Sequence, residues 1–409
     1  MKILFAPQST SLTHVGRSLT LARALAERGH DITFAGESRF LQNPDFIGEP
    51  FFRFVELQDI PASVVIRKTQ AAQGLSTSQM INDLINIEIS FLRQENFDLV
   101  VGDLRPTIFI SAMLSETPSV SLLNVRWFPK MYARSFIAPG TLRTPSEWHE
   151  ELAPLSPEER AERIVWLNQA AVAEPFNEPM QKLGLPPVEY YCDLLEGDLN
   201  LFLDTAFFAP TIGLQEGFHQ IGPIFWHPPW EAPKWIDDLP LDPPLVYVTY
   251  GSFTPQDLFI ETIKMLKRKD VQVVVHTMRQ RPPLPDLPPN VRVVEEMRDE
   301  RIFSKAAFVI CHAGNQTVYE AIRGSAPLLC VASHVGQEFV AEDVRRLRMG
   351  LSCTTDSILE DPRRLERLFD ELMERRSEFT KRMQLAHDDL LCHNGVETAI
   401  ARIEETFGV

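Results

Sequence analysis

Short apolar runs alternate with longer amphipathic segments along this chain, a pattern that predicts strands separated by helices. In the first half, strands are predicted near Ile3, Ile32, Leu99, Val120 and Leu201. In the second half, they are predicted near Val246, Val273, Val293, Val309 and Leu328. Because parallel strands joined by helices are covered on both faces, the pattern indicates an α/β fold with two doubly wound, Rossmann-like parallel sheets.

A proline-rich stretch separates the two halves. It covers residues 222–244 and reads GPIFWHPPWEAPKWIDDLPLDPP, which excludes a regular helix or a central strand. The sequence therefore predicts a first domain over 1–221, a stiff linker over 222–244 and a second domain over 245–385. Residues 386–409 complete a charged segment that is predicted to be helical.

The segment 309–342, VICHAGNQTVYEAIRGSAPLLCVASHVGQEFVAE, predicts a phosphate site. A buried strand, a polar turn at 312–315, a helix beginning at about Gln316 and a second strand at 327–331 form one βαβ unit. The unpaired N–H groups and the positive dipole end at the start of such a helix hold phosphate well. We therefore expect a diphosphate at 315–317.

Side chains in this segment suit a nucleotide diphosphate. His312 offers a donor at the strand end, Thr317 offers a hydroxyl, and Glu320, one turn deeper, can accept from the two hydroxyls of a ribose. Each residue also has an ordinary structural explanation, since Asn315 can cap the helix, Thr317 can fill its first turn and Glu320 can face solvent.

A histidine and an aspartate lie at the carboxyl ends of two predicted strands of the first half. A polar loop from Pro7 to Thr13 leads to His14, and an amphipathic helix is predicted from Val15 to Arg28, closed by Gly29. Asp103 ends the strand at 97–103. A neutral imidazole at this sheet edge suits proton abstraction from a hydroxyl, and a carboxylate can hold its tautomer. The structural alternative is that His14 packs at the helix start and Asp103 is an ordinary strand-end carboxylate.

Two motifs carry a family resemblance. The first is the order His-x-Gly-x-x-Thr-x-x-Glu-Ala from His312, followed by Gly324, Pro327 and Gln337. The second is Thr13-His14 followed by LARALAERGH at 21–30. Together they resemble the inverting, nucleotide-sugar-dependent glycosyltransferases of the GT-B fold, the family 1 group of bacterial antibiotic and plant secondary-metabolite UDP-glycosyltransferases. The resemblance implies two Rossmann-like domains facing across a cleft, with residues 386–409 returning to the first domain.

The resemblance also implies roles for particular residues. His14 would be the general base and Asp103 its partner, while His312, Asn315 and Thr317 would hold the diphosphate. Glu320 would bind the ribose and Gln337 the hydroxyls of the transferred sugar. Donor binding as a whole is assigned to Gly251, Ser252, Met297, His312, Gly314, Asn315, Gln316, Thr317, Glu320, Gly336 and Gln337.

The chain departs from the family pattern at four positions. Thr13 replaces the usual Gly and Arg17 the usual Pro of the first motif. Gly336 replaces an Asp that contacts the sugar, and Glu296 stands where an aromatic ring usually stacks on the base. These departures leave open which nucleobase the donor carries, so that a UDP-sugar and a dTDP-sugar are both candidates. They also leave the sugar undetermined, and they bear on whether the donor binds.

Aromatic residues after the fourth predicted strand are candidates for an apolar acceptor pocket, with packing in the core as the alternative. They are Trp127, Phe128, Met131, Tyr132 and Phe136. The polar segment 70–80 is a further candidate to flank the site. A lipophilic small molecule is the expected acceptor.

Charge and cysteine usage exclude other classes of partner. The 409 residues carry a net charge of −16, which argues against nucleic acid and anionic membrane surfaces. Five scattered cysteines and no metal-ligand spacing predict neither disulfides nor a metal site, so no cofactor or metal is expected. The absence of a signal peptide or membrane-length apolar run predicts a cytoplasmic protein. Nothing in the sequence specifies an oligomeric state.

Three functions are compatible with these sequence features. An inverting glycosyltransferase is favoured by the paired motifs. A nucleotide-sugar 2-epimerase would also bind a diphosphate but gives no reason for His14 and Asp103. A catalytically inactive GT-B partner protein accounts for the substitutions at Glu296 and Gly336, whereas the presence of His14 argues against it.

Overall fold

The computed structural model describes most of the chain in two compact units. The described residues are 1–9, 12–37, 53–74, 76–228, 233–240, 242–251, 255–278, 280, 282, 287–297 and 300–408. The first unit contains residues 1–138, 142–229 and 393–409, and the second contains 139–141 and 230–392.

A parallel sheet organises the first unit. Its strands are β1 (Lys2–Pro7), β2 (Asp31–Gly36), β3 (Arg53–Glu56), β4 (Leu99–Asp103), β5 (Ser119–Leu123), β6 (Leu199–Phe202) and β7 (Phe218–Gln220). They lie in the order β3-β2-β1-β4-β5-β6-β7. The helices of this part are α1 (Leu12–Glu27), α2 (Ala62–Gln70), α3 (Ser78–Glu95), α4 (Pro106–Leu114), α5 (His149–Leu152) and α6 (Pro157–Lys182). The order reverses beside β1, so the site of a doubly wound fold is expected at the carboxyl ends of β1 and β4.

The second unit contains another parallel sheet. Its strands are β8 (Leu245–Thr249), β9 (Gln272–His276), β10 (Val291–Val294), β11 (Phe308–Cys311), β12 (Leu328–Ala332) and β13 (Gly350–Thr354), in the order β10-β9-β8-β11-β12-β13. Its helices are α7 (Gln256–Leu266), α8 (Glu300–Lys305), α9 (Asn315–Arg323), α10 (Val335–Arg346), α11 (Thr355–Glu360), α12 (Arg363–Glu374) and α13 (Arg376–Leu390). Here the switch point lies between β8 and β11.

The last helix, α14 (Gly395–Phe407), lies in the first unit. Ala399, Ile400 and Ile403 are fully buried in the same apolar core as Leu19 and Leu25 of α1. At the end of α1, Arg28 pairs with Glu397 and Glu404. The burial of an apolar stripe, more than these exposed ion pairs, holds the helix in place.

The predicted strands are confirmed, and two helix starts differ from the prediction. The helix α1 begins at Leu12, so His14 lies in its first turn and does not end a loop. The helix α9 begins at Asn315, one residue earlier than expected. Residues Val15, Leu19 and Ala22 are buried at helical spacing, which accounts for the position of α1 against the sheet.

Three strands lie outside the predicted set, namely β3, β7 and β13. They are at sheet edges, where β3 is half-exposed and β7 has only 3 residues. The strand β13 begins with Gly350, because a side chain there would overlap the backbone of Leu328 on β12. The sequences of these three edge strands lack the continuous apolar run that marks a central strand. Among the described helices, none is both long enough and apolar enough to cross a membrane.

Candidate active site

The first unit places His14 and Asp103 in direct contact. The Nδ1 atom of His14 lies 2.7 Å from Oδ1 of Asp103. His14 projects from the first turn of α1, and Asp103 is the last residue of β4, which is hydrogen-bonded to β1. The carboxylate is fully buried and the imidazole is 14% exposed. Such a pair fixes the imidazole through Nδ1 and leaves Nε2 available for proton transfer.

Arg17 is a third member of this group that the sequence did not identify as a site residue. It lies one helical turn after His14 and its side chain is buried. Its Nε donates to Oδ2 of Asp103 at 2.5 Å, and its Nη2 donates to Oδ1 at 2.6 Å. The same Nη2 lies 3.1 Å from Nδ1 of His14. The sequence feature that could have identified Arg17 is its replacement of the proline that the family pattern usually has at this position.

The charge state of Asp103 follows from these contacts. Burial alone would raise the pKa of its carboxyl group, but the nearby Arg17 guanidinium and His14 lower it. The resulting pKa lies below its ordinary value, so Asp103 is a carboxylate at neutral pH.

The polar group continues along the sheet edge as a buried network. Arg17 Nη1 donates to Oδ1 of Asn124, and Asn124 Nδ2 donates to Oδ2 of Asp204 at 3.1 Å. Asp204 also pairs with Arg126 at 3.4 Å. Two buried carboxylates are thus matched by two guanidinium groups, as buried charges require.

The predicted acceptor residues lie near this edge with different degrees of burial. Phe128 is fully buried, with its ring 5.5 Å from that of Phe202 and 5.7 Å from that of Phe218. The Tyr132 and Phe136 rings are 5.1 Å apart, and both side chains are buried. Met131 is buried, whereas Trp127 is half-buried against Tyr191. Packing within the first unit accounts for Phe128, and an acceptor role for these residues stays a prediction.

In the second unit, His312 is held between two glycines. It follows β11, and Gly314 is the N-cap residue of α9. A Cβ atom at Gly314 or at Gly251 would overlap the His312 imidazole. Gly251 follows β8, has φ of +69° and so suits only glycine well. Two glycines assigned to donor binding therefore also make room for the histidine.

Two histidines at this sheet edge are neutral. Burial, partly opposed by a hydrogen bond with the Thr249 backbone, lowers the pKa of His312 to about 4. Burial, together with the nearby His312, lowers the pKa of His334 to about 4. His334 is the N-cap residue of α10 and was not among the predicted site residues. A neutral imidazole at this edge can donate one N–H to a ligand.

The start of α9 has the form of an anion site. Asn315, Gln316 and Thr317 are its first three residues, and the first bond of the helix runs from Val318 N to Gly314 O. The N–H groups of those three residues precede that bond, where the helix dipole favours negative charge. The predicted diphosphate site at 315–317 thus coincides with a helix N-terminus.

The remaining predicted donor residues are at several positions in this unit. Glu320 is buried on α9, with a carboxylate oxygen 3.9 Å from Arg323 Nη1. Gln337 accepts from Ser333 N through its side-chain oxygen at 2.8 Å. Gly336 lies in the first turn of α10, and Met297 is buried after β10. Ser252 lies outside the described residues.

No group of three or more His, Cys, Asp or Glu residues in the described parts of the chain is arranged to hold a metal ion.

Comparison with known proteins identifies relatives over most of the chain, although no protein-family model matches it. It is 28% identical over 360 residues to a PGL/p-HBAD biosynthesis rhamnosyltransferase of Mycobacterium bovis (strain BCG / Pasteur 1173P2), covering 87% of this chain and 78% of that protein. It is 26% identical over 359 residues to a PGL/p-HBAD biosynthesis glycosyltransferase of Mycobacterium tuberculosis (strain ATCC 25177 / H37Ra), covering 87% and 82%.

The fold is also that of solved glycosyltransferases. The spinosyn rhamnosyltransferase SpnG superposes with a TM-score of 0.72 at 15% identity, covering 99% of this chain and 100% of that chain. The predicted GT-B fold and the resemblance to GT-B glycosyltransferases are therefore confirmed. The relatives likewise confirm the prediction of a glycosyltransferase.

Proposed function

We propose that this relative of the GT-B glycosyltransferases moves a sugar from a nucleotide-diphosphate donor to a hydroxyl of a lipophilic small molecule, with inversion. His14 is the general base. The observation that carries the proposal is the 2.7 Å contact between His14 Nδ1 and the buried Asp103 carboxylate. That contact orients the ring and compensates the charge that the imidazole gains during the reaction.

The reaction is a single displacement in this proposal. His14 Nε2 takes the proton of the acceptor hydroxyl as the oxygen attacks the anomeric carbon of the sugar. The bond from that carbon to the phosphate oxygen breaks, and its electron pair leaves with the nucleoside diphosphate. Attack from the face opposite the leaving group inverts the configuration. Asp103 stabilises the imidazolium that results.

The donor end of the proposal rests on the second unit. Negative charge grows on the leaving diphosphate, and the N–H groups at the start of α9 act where it grows. His312 contributes a neutral donor, Thr317 a hydroxyl, and Glu320 an acceptor for the ribose. The proposed pathway assigns no step to a metal or other cofactor.

Known complexes suggest the class of ligand to test first. SpnG has been solved with thymidine diphosphate, at 16% identity and a TM-score of 0.71, and with spinosyn aglycone. A dTDP-sugar, with rhamnose as the first sugar because one relative is a rhamnosyltransferase, is therefore the first donor to test.

A non-catalytic role is the second candidate. The chain is 28% identical over 269 residues to an inactive PGL/p-HBAD biosynthesis glycosyltransferase of Mycobacterium bovis (strain BCG / Pasteur 1173P2), covering 65% of this chain and 71% of that protein. Gly336 in place of a sugar-binding carboxylate favours this role. The retained His14–Asp103 contact favours catalysis.

The first experiment measures binding of UDP, dTDP, GDP and ADP by calorimetry. The proposal expects one nucleotide to bind saturably and His312→Ala to weaken it at least tenfold. His149→Ala, at an exposed histidine of the first unit, should bind like the wild type. Absence of binding to all four nucleotides would contradict the donor site.

The second experiment measures transfer and its stereochemistry. With the nucleotide known, donor sugars are screened against phenolic and macrocyclic alcohols, and the anomeric configuration of the product is read by NMR. His14→Gln should lower kcat at least a hundredfold, in the range expected for loss of a general base, with little change in nucleotide binding. Retained activity in that variant would remove His14 from the mechanism, and a product of unchanged configuration would exclude inversion.

A further inference from the structure

We propose that Arg17 is a positioning residue that keeps His14 neutral, by supplying the positive charge that buried Asp103 would otherwise draw from the imidazole. The inference rests on the proposed role of His14 as base. The proposal gives a specific role to Arg17, which stands where the GT-B glycosyltransferases usually have proline.

The geometry shows that Arg17 is the main partner of the carboxylate. Asp103 Oδ2 accepts from Arg17 Nε, and Oδ1 accepts from both Arg17 Nη2 and His14 Nδ1. The guanidinium thus binds both oxygens, while the imidazole binds one. A planar fork of this kind matches a carboxylate better than any other side chain does.

A fully buried carboxylate requires a positive partner. Leaving its charge uncompensated away from water is strongly unfavourable. If Arg17 were absent, a protonated His14 would be the remaining partner in direct contact with Asp103. An imidazolium cannot accept a proton, so the pair would be stable and inactive. With Arg17 present, the carboxylate is already compensated and His14 can remain a base.

The two contacts of His14 Nδ1 fix its tautomer. A charged Asp103 oxygen at 2.7 Å accepts a hydrogen bond, so Nδ1 carries the proton and Nε2 has the lone pair. Arg17 Nη2, at 3.1 Å from the same nitrogen, is a like charge to any imidazolium. Two effects of Arg17 therefore act together, since it compensates Asp103 and repels a second proton on His14.

Arg17 is itself held in place from the opposite side. Its Nη1 donates to Oδ1 of Asn124 at 2.9 Å. The Asn124 amide is fixed by Asp204, which also accepts from Val125 N at 2.9 Å. The guanidinium is thus bound at both ends and cannot turn away from Asp103 without breaking buried hydrogen bonds.

Several other charged groups in the described part of this sheet edge have partners of their own. Asp59, after β3, accepts from Ser9 N and Ile60 N. Arg105, after β4, pairs with Glu88 of α3. Asp204 and Arg126 pair with each other. Among the described residues, the charged side chains in hydrogen-bond contact with His14 are Asp103 from β4 and Arg17 from its own helix.

The test replaces Arg17 with Met, which removes the charge, and with Lys, which keeps it. The pH dependence of kcat/KM is measured for both variants and the wild type. In Arg17→Met we expect the acidic limb to move to higher pH by about one to three units, with much of the activity regained at high pH. Arg17→Lys should keep the limb near its wild-type position.

An NMR titration of His14 makes the test independent of activity. Histidine ring signals are assigned with His14→Gln, and the midpoint for His14 is expected to rise in Arg17→Met and to be largely restored in Arg17→Lys. Arg28→Met removes a charge at the other end of α1 and should leave the midpoint unchanged. If Arg17→Met leaves the midpoint in place, or lowers activity equally at every pH, the proposal is wrong.

The two readouts separate this proposal from the proposed function. A raised midpoint in a protein that transfers no sugar would support the role of Arg17 and contradict the glycosyltransferase reaction. An unchanged midpoint in an active enzyme would do the reverse. If Arg17→Met does not fold, Arg17→Gln, which retains hydrogen-bond donors without the charge, takes its place in the same measurements with the same expectation.

Discussion

The imidazole of His312 fills the space that a side chain at Gly314 would need. Gly314 is the N-cap of α9, and a Cβ atom there would overlap the Nε2 and Cε1 atoms of the ring. The positions of His312 and of the start of α9 are thus coupled. The neutral imidazole of His312 packs against the first turn of α9, where the helix N–H groups are not yet hydrogen-bonded within the helix.

Gly314→Ala should therefore disturb both stability and nucleotide binding. Relieving the overlap requires the ring or the helix start to shift, at a cost of about 1–3 kcal/mol for an overpacked site. In a His312→Ala background the ring is gone, so the cost of the same substitution should fall. Denaturant unfolding of the wild type, both single variants and the double variant gives the coupling energy. Equal costs in both backgrounds would show that the ring does not occupy this space in solution.

The two neutral histidines predict a loss of stability in acid. In the folded protein, burial lowers the pKa of His312 and of His334 from the ordinary value of 6.5 to about 4. The unfolded chain therefore takes up protons below about pH 6.5 that the folded chain takes up only below about pH 4. The free energy of unfolding should fall as the pH falls through this window, by on the order of 2 kcal/mol per histidine.

Substitution of these histidines tests that assignment. His312→Asn and His334→Asn should each show a smaller decrease in stability between pH 6.5 and 4, whatever their stability at pH 7. His149→Asn, at an exposed position, should keep the wild-type slope. Urea unfolding at a series of pH values measures all four proteins, and a slope unchanged in both His312→Asn and His334→Asn would exclude these residues as the cause.

The central strands and the helix α9 could be predicted because their buried positions are mostly apolar in the sequence. Runs such as Phe308–Cys311 are apolar at every position, and the turn before α9 contains a glycine that the local geometry requires. His14 and Asp103 were predicted as partners because they lie at the carboxyl ends of two strands that meet at one sheet edge. A sequence pattern shows which residues end parallel strands, and such residues meet at the same edge of the sheet.

Arg17 and His334 were missed as site residues for a different reason. Arg17 lies within α1 and His334 is the N-cap residue of α10, so the place of each at the sheet edge depends on where its helix begins. A sequence pattern fixes a helix start less well than it fixes the helix itself. Arg17 reads as an ordinary amphipathic-helix residue until α1 is known to begin at Leu12 and to pack with Arg17 inward. The edge strand β3 was missed because exposure on one side removes its apolar periodicity.

A buried ion pair joins α3 to the turn between β4 and α4. The side chains of Glu88 and Arg105 are both fully buried, and Arg105 Nη2 lies 2.8 Å from Glu88 Oε1. Glu88 also accepts from Thr107 at 2.9 Å and from Ser111 at 2.7 Å. Burial raises the pKa of Glu88, and these partners oppose the rise.

Glu88→Ala should accordingly destabilise the protein by about 3–5 kcal/mol, since it leaves the Arg105 charge buried without its partner. Asp83→Ala, at an exposed position of the same helix, should change stability by less than about 0.5 kcal/mol. Denaturant unfolding compares the two. Similar costs for both variants would indicate that water reaches the Glu88 site in solution.

A second carboxylate fixes a short segment beside the predicted sugar-binding residue Gln337. Glu338 is buried on α10, and its oxygens accept from the N–H groups of Gly140, at 2.6 Å, and Thr141, at 2.8 Å, and from the Thr141 hydroxyl. Residues 139–141 belong with the second unit, although the chain on both sides of them belongs to the first.

Glu338→Ala removes the acceptor from all three donors at once. We expect the amide protons of Gly140 and Thr141 to exchange at least tenfold faster in hydrogen–deuterium exchange, because each bond to a charged acceptor contributes about 1.5–3 kcal/mol. Glu360→Ala, an exposed carboxylate of the same unit, is the matched control and should leave these amides unchanged. If the exchange of both amides is the same in Glu338→Ala as in the wild type, the segment is held by its backbone neighbours, and the charge of Glu338 has another task at the start of α10.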